Sequence, residues 1–561
     1  MDFSLDDRYA KAEAERQRHV DAVLKSSARK KIVVAGPGTG KTYLFKQILE
    51  GKKDTLTLTF VNSLVEDLSL ELCGLSDVKT LHGYARGALT TPTRNVKIFP
   101  KISHVINEDA NILLSQKIDF DHIFHNRDDE NENIKFYKQR KDYYGYYGYS
   151  DVIFALVKHF EKKPEKIPSY EQVLVDEFQD FNKLEVSLID LLARKSPVLL
   201  AGDDDQALYA FKSASPEHIR QRYDTKTNEY ASFTLPYCSR CTQVIVEAVN
   251  DIIDAARAKG YLEKRINKEY QYFECQKKDE ESNLNPKIVH ARIFAAQIPW
   301  LIQEAIAEIA EEVKARFSVL VISPFKRQAR SVVDALRRKG MQNIESIETK
   351  EGTGPTFLDG LKILLLDDER NNLGWRIVSK SLLGEKEFDA LLKETSVEGA
   401  KSICDIIEVK YHREIKEILC FLAAVQKGKK IDKEKLDILF SKTGIDPHEI
   451  TKDDLQQDIN STPWRMGNPA IRKIPIRATT IQSSKGLDAE YVFITHFDDR
   501  FLIKDDNKIS DQEICNFLVA LTRAKKKVFL ISSDKAKEPT FLTWIARDRI
   551  EERSLSASSP A

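Results

Sequence analysis

"KKIVVAGPGTGKTYLFKQILEG", residues 30–51, sets an apolar strand, a glycine-rich turn and a helix in immediate succession. Ile32–Ala35 is a continuous apolar run of the kind buried on both faces of a parallel sheet. Gly36, Gly38 and Gly40 let the chain fold back so that its N–H groups converge at the N-terminus of the following helix. The ligand suited to that point is an anion. Lys41 adds a point charge and Thr42 a hydroxyl able to ligate Mg²⁺. Ala35, Gly36, Pro37, Gly38, Thr39, Gly40, Lys41 and Thr42 therefore read as a cradle for nucleotide phosphates, with Ala35 where such a pattern usually opens on glycine.

Working outward, "TLTLTF" (55–60) is a second strand and "NSLVEDLSLEL" its helix, and this alternation predicts a parallel sheet with helices on both faces. "QVLVDEFQD" (172–180) is the other half of the cradle. Its apolar residues end in Asp176 and Glu177, where a parallel sheet opens its crevice. Asp176 suits Mg²⁺ through water, and Glu177 suits the orientation and deprotonation of an attacking water. Together the two segments predict a nucleoside triphosphatase using ATP and Mg²⁺. "PVLLAGDDDQALYAFKSA" (197–214) adds a strand, three aspartates, a glutamine and two rings. Gln206 is placed to sense the γ-phosphate, and Tyr209 and Phe211 offer faces on which a nucleobase stacks. Asp203–Asp205 are read as keeping the turn polar and bonded to neighbouring backbone.

At 561 residues the chain has room for about four ordinary domains, or two large ones with insertions. Lys+Arg and Asp+Glu are both 87, so any nucleic-acid surface must concentrate its positive charge locally. The seven cysteines are sparse, and one C-x-x-C, Cys238 and Cys241, has neither a second pair nor a nearby histidine to complete a metal site. The N-terminus is charged, and no apolar run approaches the ~18 residues that cross a bilayer. A cytoplasmic protein is expected, nucleoid-associated if bacterial.

The pattern along the chain is α/β: two RecA-like P-loop domains with parallel sheets, each interrupted by helices. Residues 1–86 and 166–234 are expected to form the first and 235–379 and 469–545 the second. The segments 87–165 and 380–468 read as helical insertions and 546–561 as a tail. The tract "NRDDENENIKFYKQRKDYYGYYGYSD" is read as part of a helical insertion with an exposed loop, its acidic "DDENEN" a solvated loop.

Further segments carry a resemblance. "DEFQD", "TFVNSL", "TLHGYA", "GDDDQALYAFKSA", "LPYCSRCTQVIVEAVN", "TTIQSSKGLDAE" and "FLVALTRAKKKVFL" occur in the order and approximate spacing of the UvrD/Rep-like superfamily 1 helicases, across both halves of the chain. The resemblance implies an ATP-dependent 3′→5′ DNA helicase that binds single-stranded DNA or single-strand/duplex junctions, with a protein partner an open question. It implies that Arg240 and Arg523 act on ATP from the second domain, beside Asp488. It also implies that Thr59, Phe60, Asn62, His82, Tyr209, Phe211, Gln482 and Ser483 face DNA. The family's adenine-reading glutamine is matched by Gln17, with His19 fitting almost as well, and its base-stacking tyrosine becomes Ser239, with Tyr237 two residues away. The second insertion is shorter than is usual in the family. A nucleic-acid-gated ATPase serving as a sensor or partner module, in repair or defence, is therefore the alternative.

Overall fold

The computed structural model describes residues 5–59, 62–91, 95–208, 213–223, 229–282, 287–313, 316–341, 343–346, 354–396, 399–427, 440, 476–505 and 508–554. Phe60, Tyr209, Phe211 and most of 428–475 lie outside them. The first sheet contains β1 (Lys30–Ala35), β2 (Thr55–Thr59), β3 (Asp77–Thr80), β4 (Gln172–Val175), β5 (Val198–Gly202) and β6 (Ala231–Leu235) in the order β3-β2-β4-β5-β1-β6, all parallel. Because side chains alternate along a strand, Ile32 and Val34 enter one core while Val33 and Ala35 enter the other. The glycine-rich turn thus leaves the sheet from a strand held on both faces.

Pro236 separates β6 from β7 (Tyr237–Cys238), which pairs with β8 (Gln271–Tyr272). The second sheet comprises β9 (Ile288–Ile293), β10 (Val319–Ser323), β11 (Ile344–Ser346), β12 (Ile476–Thr480), β13 (Ala489–Ile494), β14 (Ala524–Ser533) and β15 (Ile550–Arg553). Its order is β11-β12-β10-β13-β14-β9-β15, again all parallel. The two-sheet α/β architecture is the one the alternation predicts. No helix among the described residues is long and apolar enough to cross a membrane.

Helices Ile102–Leu114, Phe120–His125, Asn133–Tyr144 and Tyr149–Lys162 lie between β3 and β4. The tyrosine run on them is no exposed loop: Tyr144, Tyr146 and Tyr147 are buried in the core. The second group departs from the expected boundary at 380, because helices begin at Phe357–Leu366 and continue with Asn372–Leu382, Glu385–Glu394 and Val409–Gln426. "FLDGLKILLL" has the apolar density of a strand, but the Thr356 side chain accepts from the Asp359 N–H and Asp359 caps Thr356 in return, which starts a helix. Gly360 and Gly374 then let two helices cross closely: a Cβ at either would stand within 3.0 Å of the other helix.

The two helical groups share one core. At their contact the buried Asp109 carboxylate accepts from Arg140 Nε at 2.8 Å and from Arg376 Nη2 at 2.8 Å, and the Tyr144 hydroxyl donates to it as well. Lys101–Asp359 and Tyr146–Asp367 link the groups nearer the surface, each at 2.9 Å. Removing one partner of such a cluster leaves buried charge uncompensated. Asp109→Ala is accordingly expected to cost about 3–5 kcal/mol and to lower the first thermal transition in calorimetry. A melt unchanged from the parent would show that the cluster contributes nothing to holding the groups together.

Candidate nucleotide site between the two sheets

The turn after β1 has the shape its glycines predict. Gly38 and Gly40 take φ +71° and +95°, where a Cβ is strained, and Gly40 caps the helix Lys41–Leu49. Thr39 Oγ1 donates to the Gly36 carbonyl at 2.9 Å. Lys41 Nζ lies 3.2 Å from Glu177 Oε1. Burial works against the charge on Lys41, yet Glu177, Asp176 and Asp203 raise its pKa. Thr42 follows in the first turn of that helix.

Asp176 and Glu177 leave the end of β4. Asp176 is buried and its Oδ1 has no hydrogen-bond partner; burial and the neighbouring Glu177 push its pKa up. Glu177 stands at φ +54°, a left-handed conformation that costs a non-glycine residue about 1–2 kcal/mol. The strain is held by three partners: Lys41, Gln179 Nε2 donating at 2.6 Å, and Lys485 at 3.4 Å. Against burial, the two lysines keep its carboxyl well below the usual carboxylate range.

The second sheet closes over this edge. Arg523, at the start of β14, is buried and donates through Nη2 to Gln206 Oε1 at 3.1 Å. Burial and nearby Arg240 lower its pKa to about 10. Gln206 Nε2 in turn donates to Asp203 Oδ2 at 2.8 Å. Lys485 Nζ pairs with Asp180 and donates to the Gln206 carbonyl at 2.8 Å. Arg240 lies over the turn: a Cβ on Gly38 would stand 2.3 Å from Arg240 Cβ, and the Ser239 N–H donates to the Gly38 carbonyl at 3.0 Å. Arg240 Nε is 3.6 Å from Asp488 Oδ2, and Lys525 Nζ is 2.7 Å from Asp488 Oδ1.

The three aspartates do more than polarise a turn. All are buried; Lys268 Nζ reaches Asp203 at 2.7 Å and Asp205 at 2.8 Å and also pairs with Asp204, while Arg265 holds Asp205 at 2.8 Å. The repulsion among the acids is thus offset by cations from the segment leading to β8, not chiefly by backbone. That pairing also fixes Asp203, and through it the Gln206 amide.

On the side towards the N-terminal helix Leu5–Lys25, a small cleft is lined by Arg16, His19, Thr39, Gly40, Tyr43 and Tyr237. Gln17 is not on its wall. Its amide donates to Asp21 at 2.7 Å and accepts from the Tyr43 hydroxyl at 3.3 Å. Tyr237, displaced in sequence, is brought to the cleft, with His19 edge-on at 5.9 Å.

The residues expected to face DNA are less uniform. Thr59 is fully buried, because β2 is covered on both faces, so its side chain offers a strand no surface. Asn62 opens the helix Asn62–Glu71. His82 is half-buried against Tyr149, ring centroids 4.5 Å apart. Gln482 is exposed after β12, whereas Ser483 is buried and accepts from Thr480 Oγ1 at 3.2 Å.

Lys268 and Tyr270, whose hydroxyl donates to the Pro37 carbonyl at 2.9 Å, belong to the site although no motif contains them, and so does Lys485, which stands inside "TTIQSSKGLDAE" but was not singled out there. A run of three acids signals that a buried cation must exist, but spacing does not identify which.

The geometry fits a nucleoside triphosphate with its metal. The turn is one in which added Cβ atoms would collide, and beside it stand a half-buried lysine and a carboxylate oxygen without a hydrogen-bond partner. Among known proteins, residues 45–227 match the family model of the UvrD/REP helicase N-terminal domain. The chain is 33% identical over 132 residues to DNA helicase II of Haemophilus influenzae, covering 22% of this chain and 18% of that protein. It is 24% identical over 410 residues to a probable DNA helicase II homolog of Mycoplasma pneumoniae, covering 65% and 54%. It is 29% identical over 143 residues to the ATP-dependent DNA helicase PcrA of Staphylococcus aureus, covering 24% and 20%. The chain thus spans at most about half the length of these curated relatives.

Proposed function

Taking as premise that the chain is UvrD/Rep-like, we propose that it is an ATP-driven translocase and helicase on single-stranded DNA, moving 3′→5′. The observation that carries the reading is the buried Arg523–Gln206 hydrogen bond, which joins the two sheets beside Glu177. Thr42 and Asp176 would hold Mg²⁺, which neutralises phosphate charge when bound. Lys41 binds the phosphates on exchanging its Glu177 partner for them. Glu177 is then released to orient a water and take its proton, while Arg523 and Arg240 supply positive charge that matters most in the transition state. Gln206 lies between these groups, so its loop is the element through which a bound strand is felt at the phosphate. Tyr209 and Phe211 are the stacking candidates on that loop, with His82 and Gln482 as further contacts.

The test is ATP turnover with and without a single-stranded oligonucleotide, beside strand separation on duplexes bearing a 3′ or a 5′ tail. Stimulated turnover with separation from the 3′ tail is expected. Turnover indifferent to single strands sinks the reading. Stimulation without separation on either duplex favours a gated ATPase, and the second helical group packed onto the first favours it too, since a group so held is less free to engage a duplex.

A further inference from the structure

The C-x-x-C at 238–241 takes no part in the chemistry above. Cys238 ends β7, and Cys241 immediately precedes Thr242, the N-cap of the helix Gln243–Ala258. Both are free, fully buried thiols. The Cys241 N–H donates to Cys238 Sγ at 3.5 Å, which sets the two residues of the pair against each other. Burial raises the Cys238 pKa, yet the hydrogen bonds around its sulfur outweigh burial and lower it.

The position matters as much as the pairing. The two residues enclosed by the pair, Ser239 and Arg240, are the ones that touch Gly38 of the phosphate turn. On its other side Cys241 Sγ lies 3.9 Å from the carbonyl of Thr522, the residue before Arg523. Any change at these sulfurs therefore acts on both arginine-bearing segments together.

We propose that, when the cleft between the sheets opens and a hydroperoxide reaches them, Cys238 and Cys241 form a disulfide, and that the bond misplaces Arg240 and Arg523 and lowers ATP turnover. The Cys238 thiolate attacks one peroxide oxygen, the O–O bond breaks, and Cys238 becomes a sulfenic acid as water leaves. The Cys241 sulfur then displaces the hydroxyl, its proton departing with that group as a second water. The two thiols lose two electrons and two protons, and hydrogen peroxide takes up both. The effect on turnover rests on the proposed function; formation of the bond does not.

The experiment uses the full chain with Cys73→Ser, Cys275→Ser and Cys420→Ser, so that the more accessible thiols cannot interfere. It is treated with hydrogen peroxide, alkylated and digested for mass spectrometry, in parallel with ATP turnover and binding of a fluorescent nucleotide. A peptide linked through Cys238 and Cys241 is expected, with turnover falling about 10–100-fold, the scale set by an ångström of misplacement. Dithiothreitol should restore it. Cys241→Ser should keep its turnover in reducing buffer and ignore peroxide, and Cys238→Ser serves if that variant does not fold. Absence of the linked peptide, a linked chain of unchanged turnover, or a serine variant still inhibited by peroxide would overturn the proposal. A reduced chain with no ATP turnover sinks the proposed function alone; the linked peptide and its effect on nucleotide affinity then decide the thiol pair.

Discussion

Glu177→Gln is expected to bind ATP but to turn it over about 10²–10⁴-fold more slowly than the parent chain, the range of a general-base contribution. The amide keeps the size of the side chain and a hydrogen-bonding oxygen, so the left-handed turn at this position can persist. What it loses is the charge that Lys41 and Lys485 stabilise. Lys485 retains Asp180, so the contact between the sheets survives, and Lys41, without its competing carboxylate, holds phosphate at least as well. Nucleotide affinity by fluorescence should therefore be equal to the parent's or tighter while single-turnover hydrolysis collapses. Affinity lost in step with turnover would make Glu177 a structural brace for the turn and remove it from the chemistry.

Arg523→Ala is expected to lower kcat about 10³–10⁵-fold, the scale of a transition-state arginine. Its guanidinium is already aimed: Nε donates to the Val519 carbonyl at 3.0 Å and Nη1 to Leu487 at 3.3 Å, leaving Nη2 on Gln206. Because two of its bonds go to backbone, the alanine variant needs a melting curve beside the kinetics. Arg523→Lys is the sharper control, since it keeps the charge but cannot reproduce the planar fork. A variant that folds, binds nucleotide and loses less than about tenfold in kcat would reduce Arg523 to a strut between the sheets.

The phosphate turn was legible because its signal is local: strand, glycines and lysine are neighbours in the chain, and the conformations at Gly38 and Gly40 follow from the absence of a Cβ. Asp176 and Glu177 were legible because a strand end in a parallel sheet has one destination. Groups that arrive from elsewhere were not. Lys268 meets Asp203 from the segment leading to β8, and nothing in "KRINKEY" marks it apart from its charged neighbours. Tyr237 stands two residues from the motif position that Ser239 takes, yet the β7 strand carries its ring to the cleft. Phe357–Leu366 falls within the range expected for the second sheet's domain; its dense apolar run has no clear period, and the Thr356 cap is what marks it as a helix. Thr59 matched a motif yet is buried, since a match reports position along the chain and not which way a strand residue faces.

The core shared by the two helical groups has a mechanical consequence. The helices that follow β11 in the chain travel with the N-terminal sheet, not with the sheet whose strands flank them in sequence. Opening the cleft therefore moves the C-terminal sheet alone against a heavier partner composed of everything else. The chain must cross that seam three times: at Pro236, between Ser346 and Thr356, and on the return to β12. A seam stitched at several points shears poorly and pivots more readily, so each nucleotide cycle would resemble the opening of a jaw more than the sliding of a drawer.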